Sequence, residues 1–150
     1  MIAGTVWNQL VTTLQGSGLL TYIKYVYEGR RFDIEPESLP CLMLEPTQNN
    51  DINRDLNQIK DIFLNVDIFA FSSANYNEFP KTIVGDQNYK GILNIENDIR
   101  ACLQRSYTLG NNVIDIRFDP TIFDQLEIGK YPVRGMLIPI KILYRQNNEA

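Results

Sequence analysis

Histidine is missing from all 150 residues, which removes the commonest general base and metal ligand of enzymes. The chain therefore has no Ser-His or Cys-His dyad and no HExxH zinc site. Two cysteines, Cys41 and Cys102, remain as potential nucleophiles. A reactive thiolate needs a basic or cationic neighbour, whereas both residues lie in apolar runs. We predict two buried free thiols and no disulfide scaffold.

Paired carboxylates are the other chemistry that this composition allows, because they can act as general acid and base or bind a divalent cation. The candidate pairs are Glu35 with Glu37, Asp61 with Asp67, and Asp115 with Asp119. None has a recognisable motif spacing. An enzyme that uses Asp or Glu with a divalent ion stays open as an alternative, but we predict no enzymatic activity, no metal site and no cofactor.

Two further motifs have a functional and a structural interpretation. The run Gly16-Ser17-Gly18 lacks the GK[ST] ending of a phosphate loop and follows a helical pattern, so we expect a helix end and a turn. The tyrosines Tyr22, Tyr25 and Tyr27 would suit a stacking platform for single-stranded nucleic acid. Tyrosines on strands more often lie in a core, at the surface or at a protein interface, and we favour these structural roles.

The charge balance does not favour nucleic acid either. Fourteen Lys and Arg residues against 18 Asp and Glu give a net charge of -4, and the only adjacent basic pair is Arg30-Arg31. The first 23 residues carry no charge, but polar residues interrupt them and they lack the basic start of a signal peptide. We therefore expect them to belong to the mature fold, with no membrane partner.

Hydrophobic periodicity predicts two helices, Gly4–Gln15 and Tyr89–Arg105, each with one apolar stripe. Alternation predicts five strands, which are Tyr22–Tyr27, Pro40–Glu45, Asp61–Ser72, Val113–Phe118 and Val133–Gln146. Residues 121–132 read as irregular. Pro139 cannot donate to a ladder, so we expect an open edge or a bulge in the last strand. The polar stretch Thr47–Lys60 is predicted to form a hairpin arm or a mobile loop.

These elements predict a single α+β domain over residues 1–150, in the order α-β-β-β-α-β-β. We expect a mostly antiparallel sheet of four to five strands with both helices packed on one face. The helical stripes and the inward strand residues, among them Ile62, Ile114 and Met136, would form the core.

The order, the lengths and the apolar-polar pattern of these elements resemble those of one known family. The pattern runs from an N-terminal amphipathic helix through the Pro-flanked strand PCLMLEP, a polar arm and the long strand DIFLNVDIFAF. It continues with the helix GILNIENDIRACLQR and the strands VIDIRF and YPVRGMLIPIKILY. This resembles the tail terminator, or tail completion, proteins of long-tailed bacteriophages, over nearly the whole chain.

The resemblance implies a homo-oligomeric ring, usually a hexamer, at the head-proximal end of the virion tail. Its partners would be the tail tube protein and a head-neck connector protein, with genome DNA passing through the lumen without specific binding. Assembly would take place in the host cytoplasm. The family has no catalytic residues to carry over. The residues expected at the subunit or tail-tube interface are Arg30, Arg31, Asp51, Arg54, Asp55, Lys60 and Arg134.

Two other functions remain open from the residues alone. A head-completion or neck connector protein of related fold would bind the portal or adaptor instead of the tail tube. An unrelated cytoplasmic α+β binding module would share the composition and lack any virion partner.

Overall fold

In the computed structural model the chain has an α+β fold, as predicted, and its described residues form two helices and a six-stranded sheet. The structure describes residues 3–31, 35–51, 59–72, 83–85, 90–110, 113–128 and 131–147. Within these ranges the side chains at positions 51, 59, 124–128, 131, 132 and 147 are not described.

The helices are α1 (Ala3–Gly16) and α2 (Ile92–Arg105), and short 3₁₀ turns cover Gly18–Leu20 and Pro36–Ser38. The strands are β1 (Tyr25–Glu28), β2 (Cys41–Asp51), β3 (Ile59–Phe71), β4 (Asp115–Phe118), β5 (Ile122–Ile128) and β6 (Tyr131–Asn147). Both helices lie within two or three residues of their predicted bounds.

The sheet is larger than predicted and is mixed. Its strand order is β1-β2-β3-β6-β4, and β5 also pairs with β6, so that β4 and β5 lie along the same side of that long strand. All the pairs are antiparallel except β1 with β2, which run parallel from Tyr25 beside Cys41 to Glu28 beside Leu44. The long connection of residues 29–40 is what allows this parallel return, since adjacent parallel strands need a crossover.

Strand β5 corrects the prediction that residues 121–132 are irregular. It pairs with β6 from Ile122 beside Leu137 to Ile128 beside Tyr131, across a connection of only two residues. Such a short connection joins antiparallel neighbours directly. Its apolar residues Ile122, Phe123, Leu126 and Ile128 do not alternate strictly with polar ones, so the pairing with β6 is what identifies the segment as a strand.

Both helices pack on one face of the sheet, as predicted. Their buried stripes, from Val6 to Leu14 in α1 and from Ile92 to Leu103 in α2, meet the alternate residues of β3 and β6. The inward residues of these two strands are Ile62, Leu64, Val66, Ile68, Ala70, Met136, Ile138, Ile140, Ile142 and Tyr144, each at most 5% exposed. Ile114, which was predicted in the core, is instead 43% exposed, and Ile116 takes the inward position of β4.

Helix α2 begins three residues later than predicted because Gly91 occupies its N-cap in an extended conformation. The Asn94 side chain accepts bonds from the backbone N–H groups of Gly91 and Gly85, at 3.1 and 2.7 Å. A Cβ at position 91 would lie 2.4 Å from the carbonyl oxygen of Ile83, so only glycine fits there. The close approach of the segment around Ile83 therefore sets the start of the helix.

At Pro139, where an open edge or a bulge was predicted, β6 continues its pairing with β3 without a register shift, and its other edge is open between β4 and β5. Pro139 pairs with Asp67 of β3, and on its other side its carbonyl accepts a bond of 2.9 Å from Asp119 N–H. The N–H and C=O of one strand residue point to the same side, so the missing donor faces the interval between β4 and β5. The hydrogen-bond ladder on the β4 and β5 side of β6 is interrupted at this point. The hydrogen bonds between β6 and β3 do not lose a donor to the proline.

The polar stretch Thr47–Lys60 contributes to a long hairpin in the parts that the structure describes. Asn50 pairs with Phe63 and Asp51 with Ile62, after a register shift between Pro46 and Gln48. Residues 52–58 lie outside the described residues.

Candidate interaction surface

The face of the sheet opposite the helices, here called the outer face, is only partly covered. Toward β1, Arg30 and Arg31 lie over Phe69 and Tyr27, which pack against a small second core of Leu39, Cys41, Met43, Phe71 and Val133, each at most 3% exposed. Elsewhere on the outer face, Phe63, Leu137 and Leu143 remain half-buried.

Arginines lie on the aromatic rings of the outer face. The guanidinium carbon of Arg30 is 4.4 Å from the ring centre of Phe69, and that of Arg31 is 4.4 Å from the ring centre of Tyr27. Arg117 lies 5.2 Å above Phe63 in the same way. Such contacts let the apolar stem of an arginine cover a ring while its charged head stays in water.

Carboxylates pair with most of the cations on this face. Arg145 binds Asp61 with two bonds, of 2.8 and 3.3 Å, and this holds the pKa of Asp61 below its usual range. Arg117 lies 3.6 Å from Asp115. Lys141 lies 3.9 Å from Asp119. The outer face is therefore charged but locally neutral.

Asp67 forms the most unusual charged site on the outer face. It pairs across the sheet with Glu45, and Arg30 lies close to both. Burial raises the pKa of Asp67; Arg30 opposes the shift and the Glu45 carboxylate adds to it. The Glu45 side chain in turn accepts a bond of 3.2 Å from the backbone N–H of Arg30. The segment after β1 is thereby tied to the sheet.

Of the carboxylate pairs considered for catalysis, Glu35 and Glu37 belong to the short 3₁₀ turn Pro36–Ser38 and its N-cap, and the other two are not brought together as pairs. Asp61 and Asp67 lie six residues apart on one face of β3, which places them about 20 Å apart. Asp115 and Asp119 each have a basic partner of their own. Among the described residues there is no group of three or more Cys, Asp or Glu side chains with the geometry of a metal site.

Both cysteines are buried free thiols, as predicted. Burial raises the pKa of Cys41 to about 12 and also raises the pKa of Cys102. A thiol with a raised pKa holds little thiolate at neutral pH and is a poor nucleophile.

Gly16-Ser17-Gly18 ends α1 and begins a 3₁₀ turn, in which the Ser17 hydroxyl accepts a bond of 3.2 Å from Leu19 N–H. These residues line an open cleft of about 490 Å³ between the carboxyl ends of the two helices, together with Cys102, Arg105 and Ser106. Carboxyl ends of helices carry partial negative charge and disfavour phosphate. The helix end and turn predicted here are confirmed.

The predicted interface residues occupy separate parts of the molecule. Arg30 and Arg31 lie against the outer face, as described above. Lys60 pairs with Gln146 near one end of the β3–β6 pair, while Arg134 lies twelve residues earlier in β6, about 40 Å away. Asp51 is the last residue of β2, and Arg54 and Asp55 lie outside the described residues. These residues thus form no single patch.

The tyrosines of the N-terminal part have three different environments. Tyr22 donates a bond of 2.7 Å to Asp98 of α2, and burial, followed by this carboxylate, raises its pKa. Tyr25 and Tyr27 stack on each other with ring centres 5.5 Å apart, and Tyr25 is 52% exposed. Only Tyr25 of the three therefore presents an open ring.

Comparison with known proteins adds no relative. No protein-family profile matches the chain, and no curated protein matches its sequence significantly. Within the part of the chain that the structure describes, no helix is both long and apolar enough to cross a membrane.

Sequence reasoning missed that arginines cover the rings of Phe63, Phe69 and Tyr27. Arg30-Arg31 was read as a loop pair available to a neighbour, because nothing in a linear sequence places these residues over particular strands. It also missed that β2 and β6 extend beyond the strands beside them. The lengths of polar strands are poorly marked in sequence when hydrophobic alternation stops, as it does after Glu45.

Proposed function

We propose that this chain is a structural subunit of a ring, usually of six copies, that ends a phage tail tube and joins the tail to the head. The observation that carries the proposal is that the three central strands β2, β3 and β6 project together beyond β1 and β4 in an α+β fold. A ring needs two different surfaces on each copy that fit each other, and the two sides of such a projection supply them.

The charge arrangement supports a passage for DNA without specific binding. Cations of the outer face, such as Arg145, Arg117 and Lys141, lie beside carboxylates, and the chain carries a net charge of -4. Phosphate binding depends on clustered, uncompensated Lys and Arg. In this proposal the chain neither reads nor holds the genome.

The partners in this proposal are the tail tube protein on one side of the ring and a head-neck connector protein on the other. The protein would then be found at the head-proximal end of the tail, and in the host cytoplasm during assembly. Its contribution is geometric, and no catalytic step belongs to it.

The first test is native mass over a wide concentration range, with and without purified tail tubes. A species near about 104 kDa, six copies of the 17.3 kDa chain, or stoichiometric binding to the tips of tubes, is expected. Gold-labelled antibody should then mark the head-proximal tail end of virions. Label that is absent from this end would contradict the proposal.

A pull-down separates the terminator from a neck connector of related fold. The proposed function requires capture of tail tube protein. Capture of portal or adaptor without tube protein would favour the neck connector. A stable dimer at every concentration that captures neither would favour an unrelated binding module.

A further inference from the structure

The central strands of the sheet extend past the strands beside them at one end. Strand β1 pairs with β2 only as far as Leu44, whereas β2 continues to Asp51. On the opposite side, β4 accompanies β6 only as far as Leu143, whereas β6 continues to Asn147. Among the described residues, this end therefore has two open strand edges, here called the β2 edge (46–51) and the β6 edge (144–147).

The main-chain groups that point outward on the β2 edge follow from the hydrogen bonds below it. Leu44 faces β1, because its carbonyl accepts a bond of 2.7 Å from Gly29 N–H. The alternation of an antiparallel pair then turns the odd-numbered residues of β3 toward β2. After the register shift, Gln48 and Asn50 oppose such residues, Asn65 and Phe63. Asn49 and Asp51 consequently direct their N–H and C=O groups outward.

The outward main-chain groups of the β6 edge follow from hydrogen bonds in the same way. The carbonyls of Pro139 and Leu143 accept bonds from Asp119 and Ile114, on the side away from β3. Odd-numbered residues of β6 thus face away from β3, and the next two are Arg145 and Asn147. Arg145 is exposed over 60% of its side chain.

Asp51 is the single charged residue of the β2 edge, and the five residues before it lack the charges that usually protect a free strand. Residues 46–50 are all exposed, and they are Pro, Thr, Gln, Asn and Asn. Exposed edges of monomers are normally blunted by Lys, by inward charges or by a covering segment. Here only Pro46 and the register shift interrupt the edge, so Asn49 to Asp51 remain a template for another strand.

The faces of the two edges decide how they can meet. The side chain of Asn49 lies on the helix side, where it accepts a bond of 3.1 Å from the Tyr144 hydroxyl. The side chain of Arg145 lies on the outer face, bound to Asp61. Directly paired residues of antiparallel strands have their side chains on the same face of the sheet. Antiparallel pairing of Asn49 with Arg145 would therefore place the helices of the two copies on opposite faces of the joined sheet.

Parallel joining keeps both copies the same way up. In a parallel pair, a residue bonds to the two residues that flank its opposite, and these have side chains on the other face. Strands β2 and β6 run in the same direction within one copy, because each is antiparallel to β3. A second copy can therefore be added by rotation alone, which is the condition for a closed ring.

We infer that the β2 edge of one copy adds in parallel to the β6 edge of the next copy. Asn49 then lies level with Tyr144 of the next copy, Asn50 level with Arg145 and Asp51 level with Gln146. Arg145 N–H donates to the Asn49 carbonyl, Asp51 N–H to the Arg145 carbonyl, and Asn147 N–H to the Asp51 carbonyl. This junction rests on the proposed ring and specifies which surfaces form it.

Disulfide trapping tests this register. Asn50 and Arg145 would be neighbours on one face of the junction, whereas within one copy they lie two strands apart, beyond about 9 Å and too far for a disulfide. The variant Asn50→Cys with Arg145→Cys is oxidised in solution and on tail tubes, and run on a non-reducing gel. The native cysteines are at most 3% exposed and give a low background.

A ladder of linked chains that ends at the ring size is expected for the double variant, and monomer for each single variant. A double variant that stays monomeric in both settings would overturn the junction. Dimers formed by Asn50→Cys alone would also overturn it, because they would place two β2 edges together about a twofold axis.

A second pair of variants tests the main-chain bonds. Asp51→Pro removes an outward N–H that β3 does not use, so the hairpin should fold, while Asp51→Ala keeps that donor. Loss of the oligomer in the proline variant alone, with unchanged circular dichroism, is expected. Equal assembly of both variants would overturn the inference. If the double cysteine variant caps tail tubes but forms no cross-link, only the junction is overturned. If it forms cross-linked rings that do not bind tail tubes, only the proposed function is overturned.

Discussion

At the scale of single residues, the outer face shows how a sheet surface can stay half-open in water. Arg30 covers the ring of Phe69 and at the same time lies beside the acidic pair Glu45 and Asp67. The guanidinium thus shields an apolar ring and offsets two carboxylates. The same residue read in sequence was only a basic neighbour of Arg31, so its role is a product of the fold.

Asp67→Asn is expected to increase the free energy of unfolding at pH 7. The raised pKa means that the folded state binds a proton on Asp67 more tightly than the unfolded chain does. Its contribution to stability therefore falls as the pH rises from the unfolded pKa, about 3.9, through the folded pKa. Urea unfolding should show the variant to be more stable at pH 7 and equal to the natural protein near pH 3. A variant that is less stable at pH 7 would contradict this.

Arg30→Glu is expected to lower the melting temperature of the single chain and also to weaken any assembly of copies. It would place a third carboxylate beside Glu45 and Asp67 and uncover the Phe69 ring. Arg30→Gln is the matched control, because it removes the cation without adding an anion. Thermal unfolding at low and high salt should separate the two, with the larger salt effect for Glu. Identical melting curves for both variants would show that the acidic neighbours are irrelevant.

At the scale of elements, helix α2 combines a marked start with a sharply divided surface. Asn94 and Gly91 fix where it begins, while Ile95 and Ile99 are completely buried against the sheet. On the partly exposed side of α2, Glu96 and Arg100 form an ion pair of 3.0 Å with the predicted spacing of four residues. Because most of the stability of a helix in a protein comes from packing, the buried stripe should contribute more to the stability of α2 than the surface ion pair does.

Ile95→Ala is expected to lower the free energy of unfolding by about 2–5 kcal/mol, because it leaves a cavity in a fully buried position. Leu93→Ala on the same helix serves as the control. Leu93 is 43% exposed, and its replacement should change the value by about 0.5 kcal/mol or less. Chemical unfolding of the two variants checks this. Comparable losses at both positions would mean that the helix packs differently.

At the scale of the whole molecule, the fold separates two tasks. One face of the sheet carries both helices and the main core, and the opposite face and the projecting strand ends are left for contacts. Ion pairs spread over the outer face keep its net charge low despite many charged residues. Such a surface fits a protein neighbour better than a polyanion.

The purified chain is therefore expected to show no measurable binding to duplex or single-stranded DNA at physiological salt. Arg117, Lys141 and Arg145 of the outer face lie beside carboxylates, so few counterions would be released on contact with this face. Fluorescence anisotropy with labelled DNA checks this, and a salt titration identifies any weak electrostatic contact. Tight binding that persists at physiological salt would contradict both the passive-lumen proposal and the charge argument.

How much of the fold could be predicted depends on how strongly each segment is patterned. Helices α1 and α2 and strands β3 and β6 carry long periodic stripes, and their faces were predicted correctly because burial of one face is what creates the stripe. Strand β5 was missed, because its pairing with β6 and not its composition makes it a strand. For the candidate surface, Arg30 and Arg31 were named but not their ring partners, since those lie on strands far away in sequence.

The α+β class, the two buried helix stripes, the buried thiols and the lack of histidine chemistry could all be derived from the order of the residues alone. These depend on composition and local periodicity, which a linear chain already contains. The folded chain was needed to show that β1 pairs in parallel, that Asp61 and Asp67 lie apart, and that the described parts of β2 and β6 end in open edges. Strand order and relative strand length arise from long-range pairing, whose energy depends on residues that meet only after the chain has folded.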